Sequence, residues 1–193
     1  MKPTVIISAR GEQRVRGGHP WVYRADVVDV QAEAGDIVRV LGPRQRPIGD
    51  AFFSDRSQIP IRMLRRGDAH ADDSLLRLRL ERAIRLRETF ALDATAYRLV
   101  HAEADLLPSL IVDRYGDYLV VQALSQGMDR LLPVVTGLLV ELVGPVGILA
   151  RNDPKVRALE GLEQSVEVLH GDIPESVVVR ALMIAFDRQE GPS

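Results

Sequence analysis

Two short stretches concentrate the side chains able to do chemistry. The first is RVRGGHPWVYR, which sets Arg14, Arg16, His19, Trp21, Tyr23 and Arg24 around a Gly17-Gly18 turn. Guanidinium groups pair with phosphates and exposed rings stack on unpaired bases, so this interleaving suits RNA. Arg44 and Arg46, then Arg62, Arg65 and Arg66, extend the same candidate surface. Trp21 reads as a core aromatic, as most large aromatics are. The arginines and His19 are the candidate contacts.

The second stretch is HAEADLLPSLIVDRYGD, with His101, Glu103, Asp105, Asp113 and Asp117. Glu103 and Asp105 could in principle act as an acid/base pair or hold a metal. Two acids at i and i+2 ahead of Leu-Leu-Pro read more simply as a polar loop entering a hairpin, and Asp113 to Gly116 is ordinary turn chemistry. No catalytic residue and no metal ligand is assigned.

Other chemistry is excluded outright. The 193 residues contain no Cys, so there is no thiolate nucleophile, disulfide framework or Cys-containing zinc site. The four histidines, at 19, 70, 101 and 170, lack metal-ligand spacing. No two glycines stand at i and i+2, which removes G-x-G-x-x-G, and the G-x-S-x-G and phosphate-loop patterns are also missing. The apolar run LLPVVTGLLV at Leu131 to Val140 falls short of the roughly 20 apolar residues of a membrane span. The first residues, MKPTVIISARGEQRVR, carry too short an apolar stretch for a signal peptide, so the expected location is the cytoplasm.

Charge divides the chain. Residues 1–90 hold 17 basic and 12 acidic side chains, a balance of +5, and residues 91–193 hold 8 and 15, a balance of −7. All basic residues but Lys2 and Lys155 are Arg, the residue suited to bidentate phosphate contacts. Spread over 90 residues, +5 is by itself a weak footprint for nucleic acid.

The elements that must position these residues change character along the chain. Up to about residue 70, short apolar runs alternate with turns, including Thr4 to Ile7, Val27 to Val30, Ile37 to Val40, Ile48 to Phe53 and Ile59 to Leu64. That spacing predicts a small barrel or sandwich. After the polar Arg65 to Asp68, Ser74 reads as the N-cap of a helix running to about Phe90, with Leu76, Leu80, Ala83, Ile84, Leu86 and Phe90 on one side. From Tyr97 strand and helix signals mix: a hairpin through Tyr115-Gly116-Asp117, one helix over Gln126 to Val143, a strand at Ile148 to Ala150, and a closing hairpin from Val177–Val179 and Met183–Phe186. Together these predict a β-barrel over 1–70, a linking helix over 71–92 and a small α+β domain over 93–193.

The two clusters also carry a resemblance. GHPWVYRADV, GDIVRVL, SQIPIRML, YRLVHAEADLLPSLIVDRYGD, RNDPKVRALEGL and HGDIPESVVVR occur in order along almost the whole chain. The sequence resembles the N-terminal half of the S-adenosylmethionine-dependent cytosine-C5 methyltransferases of 23S ribosomal RNA. The resemblance implies a PUA barrel that binds RNA, a central α+β domain, and a C-terminal catalytic domain that would begin about where this chain stops, as in a truncated relic, a split gene or an excised piece. Glycines that such proteins show around the hairpin are replaced here by Ala102, Leu106 and Ser109. Because glycine serves turns with positive φ, the loop is expected to have changed shape.

The expected function is therefore the RNA-binding, substrate-recognition portion of an rRNA methyltransferase, non-catalytic alone and without S-adenosylmethionine of its own. Hairpins around one main helix would offer no parallel strands with a switch point for that cofactor. The alternative is a protein-interaction module, in which the acidic half docks a separate methyltransferase chain or a second copy of itself.

Overall fold

A computed structural model describes residues 3–91, 93–179 and 181. The first half holds β1 (Thr4–Ile7), α1 (Ala9–Arg16), β2 (Trp21–Val22), β3 (Val27–Gln31), β4 (Ile37–Leu41), β5 (Pro47–Phe53) and β6 (Ile61–Arg66). Their order in the sheet is β2-β6-β5-β4-β1-β3, antiparallel except where β1 runs parallel to β4. The strands do not close: the sheet is a curled half-barrel with β2 and β3 at its edges, not the expected full barrel.

Inside the curl lie Val5, Ile7, Val38, Val40, Ala51, Phe53, Ile61 and Met63. Side chains alternate along a strand, so β5 sends Ala51 and Phe53 inward and Phe52 outward, and β6 sends Ile61 and Met63 inward and Arg62 and Leu64 outward. Phe52 and Leu64 are nonetheless fully buried, because the second half of the chain covers that outer face. The Arg that interrupts IVRVL is buried too: Arg39 Nε lies 3.1 Å from Asp50 Oδ1, and its other nitrogens donate to the Gly67 and Asp68 carbonyls.

The helix α1 escapes the strand-and-turn reading of the first 70 residues. It is eight residues long and docks through Gly11 and Val15, too few apolar positions for a periodic signal. Its ends carry it: the Ser8 hydroxyl accepts from the Gly11 amide at 3.1 Å, Glu12 sits in the first turn, and Arg14 and Arg16 in the last.

A second helix, α2 (Asp73–Thr89), follows. Its cap is Asp72, not Ser74; Asp72 accepts from the Leu75 amide at 3.1 Å and from the Ser74 hydroxyl at 2.6 Å. Leu75, Leu76, Arg79, Leu80 and Ala83 are buried, while Leu86 and Phe90 are exposed. The buried stripe therefore starts a residue earlier and stops a turn sooner than the helical wheel suggests.

The second sheet holds β7 (Ala96–His101), β8 (Leu110–Tyr115), β9 (Tyr118–Ala123), β10 (Gly147–Asn152) and β11 (Ser165–Gly171) in chain order. The β8–β9 hairpin turns at Gly116, φ 59°. Contrary to expectation, one pair is parallel: β10 runs alongside β9 in the same direction after a helical crossover. That crossover is two helices, α3 (Gln126–Arg130) and α4 (Leu132–Val143), broken at Leu131 because Pro133 lies in the first turn of α4 and has no amide hydrogen to donate. A short α5 (Val156–Leu159) precedes β11. The last strand among the described residues is β11; of the expected closing hairpin, Val177–Val179 is helical and Met183–Phe186 lies outside the described residues. One core joins Phe52 and Leu64 of the first sheet to Leu76 and Leu80 of α2, Val100, Leu110 and Val121 of the second sheet, and Met128 and Leu139 of the crossover.

Candidate nucleic-acid interface

The cationic surface is built outward from α1. Arg10 and Arg14 reach across to Asp26, whose side chain is 1% exposed, at 2.7 and 3.1 Å. Burial pushes the Asp26 carboxyl up, but hydrogen bonds from Arg10 and Ser8 and the charges of Arg10 and Arg14 outweigh it and hold its pKa below 3.8. Arg16 pairs with Glu12 one turn back at 2.7 Å. These arginines remain exposed, and the Arg14 guanidinium sits 5.8 Å over the Tyr23 ring. The His19 ring is 5.9 Å from both Trp21 and Tyr23, and its Nδ1 accepts from the Trp21 amide at 3.2 Å.

The other predicted contacts divide by what already holds them. Arg44 and Arg46 stand exposed in the β4–β5 loop with no ion-pair partner among the described residues. Gly42 brings that loop against α1 so closely that a Cβ there would fall 2.3 Å from the Glu12 carboxylate. Arg66 donates to the Val15 and Gly18 carbonyls at 3.1 and 2.7 Å, fastening the α1–β2 loop while staying exposed. Arg24 is spent similarly, on the Ser57 and Asp55 carbonyls. Arg62 is buried and paired with Glu160 at 2.9 Å, on the covered outer face of the half-barrel. It offers nothing to solvent. Arg65 is half-buried at the mouth of a cleft.

That cleft, about 260 Å³, runs between β6 with the α1–β2 loop on one side and the loop after β7 on the other. Trp21 stands at this junction and not in the core: it is half-buried, and its indole nitrogen donates to Glu103 Oε1 at 3.0 Å. A buried tryptophan N–H needs an acceptor, and the second half of the chain supplies it. Asp105 is also engaged, receiving both arms of Arg87 at 2.6 and 2.7 Å and the His101 amide at 2.6 Å. Asp113 pairs with Arg98 at 2.8 Å. These acids therefore hold the loop, and among the described residues no three His, Asp or Glu side chains gather as a metal site.

The loop makes left-handed turns without glycine. Ala102, Leu106 and Ser109 hold φ of 43°, 59° and 61°, the left-handed region that glycine enters freely. The cost is strain in three L-residues within eight positions.

Among the buried charged groups that sequence reasoning missed, two join the halves of the chain. Arg79 of α2 donates to the Leu64 and Leu106 carbonyls, tying the two halves together. Its signal was present: residues 75, 79 and 83 fall on one helical line beside 76 and 80. Glu160, buried at the end of α5, accepts from the Ser54 hydroxyl at 2.5 Å and from Arg62. Nothing local marks it, because its partners are about a hundred positions away.

An adenosyl cofactor would need the carboxyl ends of parallel strands left open, at a reversal of strand order. Among the described residues the second sheet shows no reversal, and β9 and β10 are its only parallel pair. The carboxyl end of that pair is filled by the protein itself. The Asn152 side chain accepts from the Ala123 amide at 2.9 Å, and the buried Arg157 donates to the Ala123 carbonyl and to Asp129.

Residues 5–66 match the family model of the PUA-like domain. Over 186 residues the chain is 35% identical to the ribosomal RNA large subunit methyltransferase I of Aliivibrio fischeri strain MJ11, covering 93% of this chain and 47% of that protein. The protein of the same name from Tolumonas auensis is 33% identical over 184 residues, covering 93% and 46%. The chain thus spans about half the length of the curated relatives it matches. Among solved structures, a Streptococcus mutans protein described as a SAM-dependent methyltransferase superposes with a TM-score of 0.75 at 15% identity, over 91% of this chain and 45% of that one. A second, described as a methyltransferase complexed with SAH, gives 0.75 at 14% identity over 91% and 44%. These likenesses show a shared fold over that part of each methyltransferase.

Proposed function

We propose that these residues form the RNA-binding, substrate-recognition part of an rRNA methyltransferase acting in the cytoplasm, with cytosine C5 as the modified position. The observation that carries this reading is a PUA-like domain whose exposed arginines run on from α1 to the β4–β5 loop, in a chain that is 35% identical to an rRNA methyltransferase. Arg14, Arg16, Arg44, Arg46, Arg65 and Arg66 with His19 make the contact surface. Arg24 shapes the loop beneath it, and Arg62 is left out because it is buried.

In this reading the described chain binds and orients RNA and leaves the chemistry to other residues. Methylation at cytosine C5 takes a thiolate that adds to C6, and no cysteine is present to supply one. The SAH of the solved methyltransferase is a property of that longer protein. The filled end of the β9–β10 pair supports placing S-adenosylmethionine outside these residues. Calorimetric titration tests it: no heat of binding is expected, and a one-to-one isotherm would contradict the assignment.

The RNA reading is tested by filter binding of a large-subunit rRNA transcript at low salt. Changing Arg14, Arg16, Arg44 and Arg46 together to Ala should lower affinity at least tenfold. Unchanged affinity would remove this surface.

A second reading, docking of a separate methyltransferase chain or of a second copy, draws support from the edge strand β11, where Val166 and Val168 are 42% and 53% exposed. Size-exclusion chromatography with light scattering separates the two. The RNA reading expects a monomer, and a dimer that loses its partner when Val168 becomes Lys would favour the second.

A further inference from the structure

Every other buried arginine in the described structure has a carboxylate. Arg39 has Asp50, Arg62 has Glu160 and Arg157 has Asp129. Arg79 is the exception: it is 8% exposed and has no carboxylate among the described residues, only the two backbone carbonyls of Leu64 and Leu106. A buried guanidinium without a counter-charge is costly, and two carbonyls use only part of its five N–H groups.

Its surroundings add to the imbalance. Arg79 lines the junction cleft with Arg65 and Arg66, against one carboxylate, that of Glu103, which already accepts from Trp21. Burial first, then the charges of Arg65 and Arg82, pull the Arg79 pKa down to about 10. An anion in the cleft would relieve all of these at once. The cleft wall that carries the Leu106 carbonyl is the strained loop with three left-handed L-residues, and such strain gathers at ligand clamps.

We propose that the junction cleft binds one phosphate group of the RNA backbone, held by Arg79 at its floor and Arg65 at its mouth. Trp21, whose indole nitrogen donates to Glu103 in the cleft wall, and the His19 ring against it stand where a base next to that phosphate would lie. This inference rests on the RNA reading above and gives that surface its one enclosed contact. Arg66 is committed to backbone carbonyls and frames the site without supplying its main contact.

Two measurements on the whole chain test it. In the first, inorganic phosphate is titrated while the arginine Nε–Hε signals are followed by NMR. The Arg79 and Arg65 signals should shift and saturate, and those of Arg44 and Arg46 should drift without saturating. In the second, RNA affinity is measured against salt for wild type, Arg79→Gln and Arg65→Gln, the last because Arg79→Gln could loosen the junction. Losing one single-strand phosphate contact should flatten the slope of log affinity on log salt by about 0.7 and weaken binding several-fold at low salt. An Arg79 signal that does not saturate overturns the site. Saturation with an unchanged RNA slope in Arg65→Gln overturns the RNA source and leaves free phosphate. Absence of RNA binding by the wild type defeats the functional reading, and the phosphate titration still decides the cleft.

Discussion

Leu106 is an exposed aliphatic residue at a backbone angle that L-residues avoid, with φ of 59°. The left-handed conformation costs a non-glycine residue about 1–2 kcal/mol, and glycine's extra freedom in the unfolded chain takes back about 0.5–1 kcal/mol. Leu106→Gly should therefore stabilise the protein by roughly 0.5–1 kcal/mol, raising the midpoint of thermal unfolding by about 1–4 °C. Ser109→Gly should gain less, because the Ser109 hydroxyl shares a buried hydrogen bond with Ser125. A second prediction concerns pH. Asp26 has its folded pKa held below its unfolded value, so its contribution is present at neutral pH and lost as pH falls through the folded pKa. Asp26→Asn should destabilise the protein by about 1–3 kcal/mol at pH 7, the worth of hydrogen bonds to a charged group. Urea titrations should show that deficit shrinking below pH 4. At this scale the sequence shows which residues are basic but not which are free. Arg44 and Arg62 look alike in the chain, and only the second half's cover over β6 separates an exposed cation from a buried one.

Among the elements, the junction between the two halves carries the sharpest consequences. Glu160 neutralises Arg62 and holds Ser54, while Gln126 of α3 reaches Asp55 at 2.7 Å. Removing one member of a buried pair strands the other, so Glu160→Ala should cost about 3–5 kcal/mol. The double change Arg62→Met with Glu160→Leu should cost less than Glu160→Ala alone, which equilibrium unfolding of the three proteins would show. Gly127 is a steric counterpart: a Cβ there would lie 2.4 Å from the Phe52 ring. Gly127→Ala should destabilise by about 1–3 kcal/mol through overpacking. The strands from Ile37 to Leu64 are legible because period-2 alternation and turn residues are local signals. The helix α1 and the parallel β9–β10 pair are not: the first docks through a glycine, and the second depends on where a crossover returns. The strand at 165–171 is not legible because its valines face solvent, so its pattern announces no core.

At the scale of the molecule, the shared core makes the two sheets one cooperative unit. Trp21, the sole tryptophan, sits where they meet, so its fluorescence reports the junction while far-UV circular dichroism reports the helices and strands. The two signals should follow a single denaturant transition, and an earlier fluorescence change would mean that the halves part before they unfold. Charge is divided along the chain, with the basic balance in the first half and the acidic balance in the second, so RNA should be held on one side. Photo-crosslinking of a 4-thiouridine-substituted large-subunit rRNA transcript, followed by mass spectrometry of the attached peptides, measures that placement directly. The crosslinks should fall in the segments 14–23, 42–47, 62–66 and 102–108, around the arginine surface and the cleft. Crosslinks confined to residues 126–171, with none in the first half, would contradict the account.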